Sequence, residues 1–326
     1  MLKYILRRLA YAVPIIIGVN VITALLFFYI NTPDDIARRM LGEKNVTPEL
    51  VDNWKKERGY DLPLFLNTKE SGLSVLTQTI FVQRSAPLLW LDFGRSDRNN
   101  VAIGEEIRTR MWPSLAIAVP TFILAILIEL TLAMIIAFMR STYIDRWGVV
   151  VCVAAMSIST LFYIIGGQYM FGKILKLVPI SGYDSGMHAL KFVLLPVIVG
   201  VVGAVGVSVR FYRTVFLEEL GKDFVRTARA KGLSETAVLF KHTLKNAMIP
   251  VLTNVVVSLP FLFYGSLIME NFFAIPGLGS FMIDAINAQD FAIVRSMVYL
   301  GSLLYITGLI LTDISYTLVD PRVRLE

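Results

Sequence analysis

Few residues of this chain have the types and spacing that catalysis or metal binding would need. Residues 167–173 match the first seven positions of a phosphate-binding loop, but Ile174 stands where Ser or Thr would hold magnesium. No serine-hydrolase, zinc-protease or paired-cysteine motif occurs in the sequence. One cysteine and two histidines are too few for the usual protein metal centres. The sequence therefore predicts no catalytic residue, no metal site and no enzyme activity.

Two acidic residues are stronger candidates for function, because each lies in a long apolar stretch. Glu129 is near the middle of residues 112–139, and Asp313 is in the later part of residues 296–319. An ionisable group inside a membrane segment is costly and often functional. Glu129 has two open interpretations, a hydrogen bond between helices or a place on a solute path. For Asp313 we favour a structural role, such as an ion pair with an arginine at the inner face.

The elements that carry these acids are predicted to be membrane helices. Apolar residue types make up 56% of the 326 residues and charged types 17%, whereas soluble domains average about 45–50% and about 25%. Six stretches have, or approach, the length of about 20 apolar residues that a bilayer span needs. They are residues 9–30, 112–139, 147–172, 192–209, 246–269 and 296–319. The predicted fold class is an all-α integral membrane protein with six transmembrane helices, the first a retained helix and not a signal peptide.

The distribution of basic residues predicts the orientation of these helices. With the N-terminus inside, the inner loops and tails carry fifteen Lys and Arg, against four in the two short outer loops. The positive-inside rule then places both termini in the cytoplasm. Because the basic excess lies in the cytoplasmic loops, the net charge of +6 does not require nucleic acid as a partner.

Residues 31–111 form a long external segment between the first two helices. Thr47 and Pro48 have the character of a helix cap and a first-turn proline, and Gly59 stands where that helix would stop. Residues 73–91 are more apolar and could lie on the membrane surface or pack on helix ends. We expect a small, partly helical cap that does not fold alone and that serves as a lid or a docking surface.

Residues 217–245 form the second large polar stretch, on the cytoplasmic side in this topology. Apolar and basic residues interleave up to Gly232, and Ser234 then has the character of a new N-cap. The pattern predicts two short helices joined at the glycine. Such a basic surface helix could lie against anionic lipid headgroups, or it could dock into a soluble partner. In the second case small residues would allow close approach and arginines would fix the register.

Several motifs resemble those of the permease subunits of ATP-binding-cassette importers, specifically the peptide/nickel family of dipeptide and oligopeptide permeases. The resemblance covers essentially the whole chain and is strongest at residues 225–234, VRTARAKGLS, which are close to identical to the family's cytoplasmic coupling segment. Residues 4–9, 91–96 and 246–251 resemble other family segments. Further matches after the fifth helix and at the end of the chain are Glu270, Pro276, Gly277, Gly279, Asp290, Asp313, Asp320 and Arg322.

The resemblance implies a type I importer permease fold with three regions. Residues 1–30 would be the N-terminal tail and first helix, 31–111 the extracytoplasmic segment, and 112–326 a five-helix transmembrane core. Residues 217–245 would be the coupling segment that contacts an ATPase. Its contact residues would be Asp223, Arg226, Ala228, Arg229, Ala230, Lys231 and Gly232.

The chain departs from the family at three places that bear on function. Glu129 falls where the family tends to have glycine in the second helix. Residues 66–91 lengthen the external segment. Arg226 stands where the general permease coupling motif begins with Glu. The first two departures concern the solute path or the receptor contact.

The resemblance also implies a transport assembly in the inner, cytoplasmic membrane. A second homologous permease, in most family members a different chain, would complete the pathway, and two cytoplasmic ATPases would bind ATP and magnesium. An external solute-binding protein would deliver the cargo, and this chain would bind no cofactor itself. Peptides are the expected cargo, with oligosaccharides, nickel complexes or glutathione as alternatives. A channel or secondary transporter is a further alternative, but neither would need a coupling segment.

Overall fold

The computed structural model describes residues 2–42, 46–184 and 186–319, and in these ranges the chain is helical with no β-strand. The α-helices in chain order are α1 Leu2–Leu25, α2 Pro33–Leu41, α3 Pro48–Glu57, α4 Ser74–Thr77, α5 Ile103–Phe138, α6 Tyr143–Ser157, α7 Thr160–Gly167, α8 Ala189–Leu220, α9 Asp223–Ala230, α10 Glu235–Ala237, α11 Leu244–Ser258, α12 Leu267–Phe272, α13 Leu278–Asn287 and α14 Phe291–Val319. Turns of π-helix are Leu26–Ile30, Phe81–Ser85, Gln168–Ile174 and Val238–Thr243, and turns of 3-10 helix are Ala86–Trp90, Gly186–His188 and Leu259–Phe263.

Long apolar helices dominate the chain, as its composition predicts. Among the described residues, the stretches long and apolar enough to cross a membrane are Leu6–Ile30, Ile103–Phe138, Ala189–Leu220, Glu235–Phe263 and Phe291–Ser315. A sixth crossing is present if α6 and the bent helical stretch after it count as one span. The prediction of an all-α membrane protein is therefore confirmed, and the six predicted transmembrane helices compare with five or six candidate spans among the described residues.

The third predicted span, residues 147–172, is wrong as a single straight helix. α6 ends at Ser157, and the next helical stretch, Thr160–Ile174, is bent from it by 87°. Serine hydroxyls compete for backbone groups in helices, and Ser157 Oγ donates to a carbonyl one turn earlier at 2.7 Å. The Tyr163 hydroxyl donates to the Ala155 carbonyl at 2.7 Å. It therefore helps to satisfy the backbone that the break exposes.

The fifth predicted span, residues 246–269, ends earlier than its hydropathy indicates. The helix tightens into the 3-10 turn Leu259–Phe263, because Pro260 lacks the N–H that would continue the α-helical pattern. Gly265, at φ +78°, then turns the chain before α12. Met269 belongs to α12, so the predicted end of the span is wrong.

The chain divides into two compact units. The first draws on the described parts of Met1–Trp112 and Gly277–Ile310, and the second on those of Pro113–Pro276 and Leu311–Leu325. α5 and α14 contribute residues to both units. The region boundaries expected at residues 30 and 111 concern the position of the membrane, which this division does not address, and they stay predictions.

In the first unit the external segment is helical and shares a core with α1. Thr47 caps α3 by accepting the backbone N–H of Leu50, with Pro48 in the first turn, so the helix predicted there is confirmed. The buried apolar residues of this core are Ala24, Phe28, Ile36, Ala37, Val51, Trp54, Tyr60 and Ile80. Because the core needs side chains of α1, it agrees with a cap that does not fold alone.

In the second unit α6 packs closely on α8, and Gly206 lies at the contact. A β-carbon on Gly206 would lie 2.8 Å from the Cys152 carbonyl oxygen and 2.9 Å from the Met156 nitrogen, both of them backbone atoms. Gly203, one turn earlier on α8, would have no heavy atom within 4 Å of such a carbon. The close approach of the two helices therefore requires glycine at position 206 and not at 203.

We expect Gly206→Ala to lower the free energy of unfolding by about 1–3 kcal/mol, because the added methyl group overpacks against backbone. Gly203→Ala is the matched control, and it should raise that free energy by up to about 1 kcal/mol, since alanine favours the helix. Thermal unfolding of both variants in the same nanodiscs measures the difference. Equal unfolding midpoints would contradict the packing of α6 on α8.

Candidate functional site

The coupling segment folds as two short helices around a glycine, as its sequence predicts. On one side, α9 packs Val225 and Ala228 against Val238 of the following π turn. Arg226 and Lys231 are exposed. The segment therefore has a small core of its own and offers a basic surface to its surroundings.

Ala228 is buried, so it is not available to a partner as the sequence suggested. The sequence suggested that Ala228, Ala230 and Gly232 all permit close approach, but Ala228 lies in the core of the segment. Ala230 and Gly232 are exposed. The small-residue surface available to a partner is therefore the end of α9 and the turn after it.

Gly232 ends α9 in a left-handed conformation, with φ +76°. Its N–H donates to the Arg229 carbonyl at 2.9 Å, and the Leu233 N–H donates to the Ala228 carbonyl at 3.3 Å. These two bonds form the Schellman pattern of helix ends. Ser234 then caps α10 by accepting a backbone N–H. No heavy atom lies within 4 Å of the place a β-carbon on Gly232 would take, so the backbone turn and not crowding requires the glycine.

An ion pair joins the two helices across this turn. Arg229 donates from Nε and Nη2 to the two carboxylate oxygens of Glu235, at 2.9 and 3.0 Å, in the bidentate geometry that suits a guanidinium. Sequence reasoning assigned Arg229 to an ATPase contact and missed Glu235. An acid in the first turn after the Ser234 cap was the available signal. Asp223 and Arg226, at the start of α9, form a looser pair at 3.5 Å.

A cavity of about 470 Å³ lies in the second unit, among α5, α8 and α11. Most of its lining is apolar, and a small number of polar groups face it. These polar residues are Ser114, Thr121, Glu129, Ser208, Tyr212, Asn254, Ser258, Ser266 and Glu270. Small-molecule sites commonly combine an apolar wall with a few placed polar groups.

Glu129 lines this cavity and is 4% exposed. Ser208 donates a hydrogen bond to its carboxylate, and Tyr212 is hydrogen-bonded to Asn254 nearby. The Thr121 hydroxyl is buried and has no partner in the described part of the chain. Glu129 is therefore hydrogen-bonded between α5 and α8, as the first of its two interpretations expects, and it also faces a cavity. Its place on a solute path stays a prediction.

The residues after the fifth helix that match the family lie at turns of the chain. Glu270 is buried and accepts the backbone N–H of Ser266 at 3.0 Å, which fixes the turn into α12. Gly277 is the N-cap of α13, and Gly279 is buried in its first turn. Pro276, just before them, is exposed. These contacts indicate that the residues stabilise the turns and helix ends.

Asp290 ties the external segment to the start of α14. It is buried, and its carboxylate accepts the Ile293 N–H at 3.3 Å as a helix cap. It also accepts the Ser96 hydroxyl and the Asp97 N–H. One carboxylate thereby holds two stretches of chain that are 194 residues apart.

The last residues matched to the family lie toward the end of the chain. Asp313 is half-buried in the later part of α14. Its ion pair with an inner-face arginine stays a prediction. Asp320 and Arg322 lie outside the described residues.

Sequence reasoning found Glu129 but missed its neighbours in the cavity. Ser208 and Tyr212 are four residues apart on α8, and Asn254 and Ser258 are four apart on α11. Residues at that spacing share one face of a helix. Polar pairs at helical spacing inside apolar stretches were therefore a signal that could have located the cavity.

Comparisons with known proteins agree with this architecture. The family model described as binding-protein-dependent transport system inner membrane component matches residues 110–325. The model for the N-terminal part of such membrane components matches residues 1–118. The glutathione transport system permease protein GsiC of Salmonella paratyphi A is 30% identical over 325 residues, 99% of each chain. A putative peptide transport system permease protein of Brucella abortus is 30% identical over 331 residues, 100% of each chain. A probable peptide ABC transporter permease protein of Sinorhizobium fredii is 30% identical over 327 residues, 98% of this chain and 99% of the relative.

Proposed function

The chain belongs to the family of inner-membrane components of binding-protein-dependent transport systems, and from this premise we propose that it imports peptides as half of a pathway that partner ATPases drive. It is a multi-pass permease subunit of an ATP-binding-cassette importer. The relatives from Brucella and Sinorhizobium are named for peptides and the one from Salmonella for glutathione. Because glutathione is itself a small peptide, these names favour peptide-like cargo. Oligosaccharides and nickel complexes are weaker alternatives.

The exposed turn at Gly232 carries the proposal that ATPases drive this permease. α9 ends in a basic surface with small residues at its tip, and the turn is braced by its own hydrogen bonds. We call the end of α9 and the turn at Gly232 the knob. Because the knob is already folded, little order has to be gained when it docks into a groove of a partner. Closure of the partner would then move the knob and, through packed helices, the solute pathway.

Glu129 is the proposed contact of this chain with the solute. Its carboxylate is buried beside a cavity of about 470 Å³. A positive group that enters the cavity stabilises the charged form of a buried carboxylate and is strongly attracted to it, because little water screens the pair. The free ammonium of a peptide N-terminus has that charge. The chemistry of the cavity therefore supports a peptide with an unblocked N-terminus.

The remaining parts of the assembly follow from the same proposal. A second, different permease would complete the pathway, and one ATPase would bind each permease. ATP and magnesium would be held by those ATPases, and this chain would bind no cofactor and catalyse no reaction. An external solute-binding protein would deliver the peptide. The chain would lie in the inner membrane with both termini in the cytoplasm, which the positive-inside distribution favours.

Co-purification tests this assembly. The tagged chain is extracted from its native membranes in mild detergent with a non-hydrolysable ATP analogue, and the retained proteins are identified. We expect a homologous permease, ATPase subunits and a solute-binding protein. Recovery of the chain alone, or only with further copies of itself, would contradict the proposal.

Glu235→Gln should weaken coupling modestly, because it removes one partner of the pair across the turn. An ion pair as exposed as Arg229 and Glu235 contributes about 0.5 kcal/mol, which corresponds to about a twofold loss of solute-stimulated ATPase activity. The ATPase rate of the purified assembly, with and without solute, is the measurement. Glu49→Gln, at an exposed acid of α3, is the control that should change nothing. A wild-type rate in Glu235→Gln would show that the pair does not brace the knob.

A further inference from the structure

A second cavity, of about 480 Å³, lies in the first unit between the external segment and the start of α14. Its wall includes Arg58, Tyr60, Arg84, Asp97 and Arg295. Arg84 comes from residues 66–91, the stretch that the resemblance to the family marks as an expected extension of the external segment. Neither the solute path nor the coupling segment includes any of these residues.

Arg295 is the unusual member of this wall. It is 4% exposed, and its buried Nε has no hydrogen-bond partner among the residues that the structure describes. Its Cζ lies 4.9 Å from the centroid of the Phe28 ring. A guanidinium has five N–H donors and a permanent charge. Burying the Nε–H donor without an acceptor is unfavourable, so the side chain would gain from an acceptor supplied from outside the chain.

The acids near Arg295 do not supply that acceptor. The Tyr60 hydroxyl lies 2.9 Å from both carboxylate oxygens of Asp97. Asp290 accepts the Ser96 hydroxyl and two backbone N–H groups. Both acids lie close enough to interact electrostatically with Arg295. They offset part of its charge, but they leave its Nε–H donor unpaired.

Two further arginines add positive charge to the same wall. Arg84 donates to the backbone carbonyl of Arg58, and its Cζ lies 5.3 Å from the centroid of the Tyr60 ring. Arg58 donates from Nε to the backbone carbonyl of Asp97 at 3.2 Å. Both guanidinium groups donate to neutral backbone carbonyls, and Arg58 also forms a loose pair with Glu57, an acid of the same wall, with Nη1 3.5 Å from Oε2. Burial also raises the pKa of Asp97, which weakens the negative charge at the wall.

We propose that this cavity binds the carboxylate of a small solute, with Arg295 as its direct partner and Arg84 and Arg58 as supporting charges. A carboxylate matches the fork of a guanidinium and can accept two parallel hydrogen bonds. A doubly charged phosphate is disfavoured, because the four arginines of the described lining, Arg58, Arg84, Arg95 and Arg295, exceed its three acids, Glu57, Asp92 and Asp97, by a single formal charge. The volume of about 480 Å³ is that of a small-molecule site. This site is separate from the proposed solute contact at Glu129 and does not depend on it.

Ligand-dependent thermal unfolding tests this site with acetate as the probe. The full-length chain in nanodiscs is heated in increasing sodium acetate, with sodium chloride at equal ionic strength as the reference. A ligand that binds only the folded state raises the unfolding midpoint in a saturable way. We expect such a rise for acetate over chloride in the wild type. In Arg295→Gln the acetate concentration that gives half the effect should increase about tenfold or more.

Two further variants make the test decisive. Arg98→Gln changes an exposed arginine of the same segment that does not line the cavity, and it should respond as the wild type does. In Arg84→Gln the acetate concentration that gives half the effect should increase about threefold. This variant tests the site if Arg295→Gln does not fold. The proposal is overturned by a wild-type midpoint that acetate raises no more than chloride does. It is also overturned by an undiminished response in the cavity variants, or by inorganic phosphate acting as well as acetate.

Discussion

Gly232→Glu should abolish ATP-driven transport while the amount of chain in the membrane stays unchanged. Within the chain the new side chain meets open space, because no heavy atom lies within 4 Å of the β-carbon position. The φ of +76° costs a non-glycine residue roughly 1–2 kcal/mol, and this cost is confined to the turn. We expect the loss of function to arise at the contact with the ATPase, because a bulky acid at position 232 would prevent the turn from entering the groove of the ATPase. Transport, solute-stimulated ATPase activity and membrane abundance are measured together.

Matched glycines separate backbone strain from lost contact. Gly72 also has positive φ, +69°, with open space around its β-carbon position, so Gly72→Glu places the same side chain at a comparable φ away from the coupling segment. It should transport normally. Gly232→Asn keeps the left-handed turn at lower strain than Gly232→Ala but adds bulk. If close approach matters, the asparagine variant loses more transport than the alanine variant. Disappearance of Gly232→Glu from the membrane would count against a coupling role.

Glu129→Gln should raise the peptide concentration for half-maximal uptake by about tenfold or more, the factor that 1.4 kcal/mol of lost attraction produces. The two acids that line the cavity are Glu129 and Glu270 among the described residues, and Glu270 already accepts the backbone N–H of Ser266. Glu129 is therefore the carboxylate better placed to meet a charged solute. ATPase activity without solute should stay at the wild-type rate, because the coupling segment is untouched.

The charge of the solute provides a second test of Glu129. A peptide whose N-terminus is acetylated has no ammonium there, so its uptake should be insensitive to Glu129→Gln. Glu105→Gln, at an exposed acid of the same helix, is the control for a general loss of negative charge and should leave uptake unchanged. Identical uptake kinetics for Glu129→Gln and the wild type would remove Glu129 from the solute path.

The long helices were predictable from sequence, because a bilayer requires each span to be apolar over its length. Their interruptions were less predictable. At the break after Ser157 the Tyr163 hydroxyl donates to the Ala155 carbonyl, a contact between two helices that the local sequence does not reveal. The early end of the fifth span has a local cause in Pro260, but membrane helices tolerate proline so often that hydropathy alone gave the wrong limit.

The candidate sites also differ in how far the local sequence could predict them. The turn at Gly232 was predictable because glycine, a serine cap and an amphipathic helix are local features. The partner of Arg229 was not predicted, since Glu235 is reached only when the turn folds back. The cavity around Glu129 needs three helices that are distant in sequence. The burial of Arg295 likewise depends on the external segment folding over the start of α14.

The central claim is that this chain moves peptide only when partner ATPases hydrolyse ATP. Uptake of labelled peptide into proteoliposomes containing the purified assembly and the solute-binding protein measures this most directly, with and without ATP. We predict uptake that requires ATP and that is lost when Gly232→Glu replaces the wild-type chain. Uptake that persists without the ATPase subunits, or that follows an ion gradient in place of ATP, would contradict the account and favour a channel or a secondary transporter.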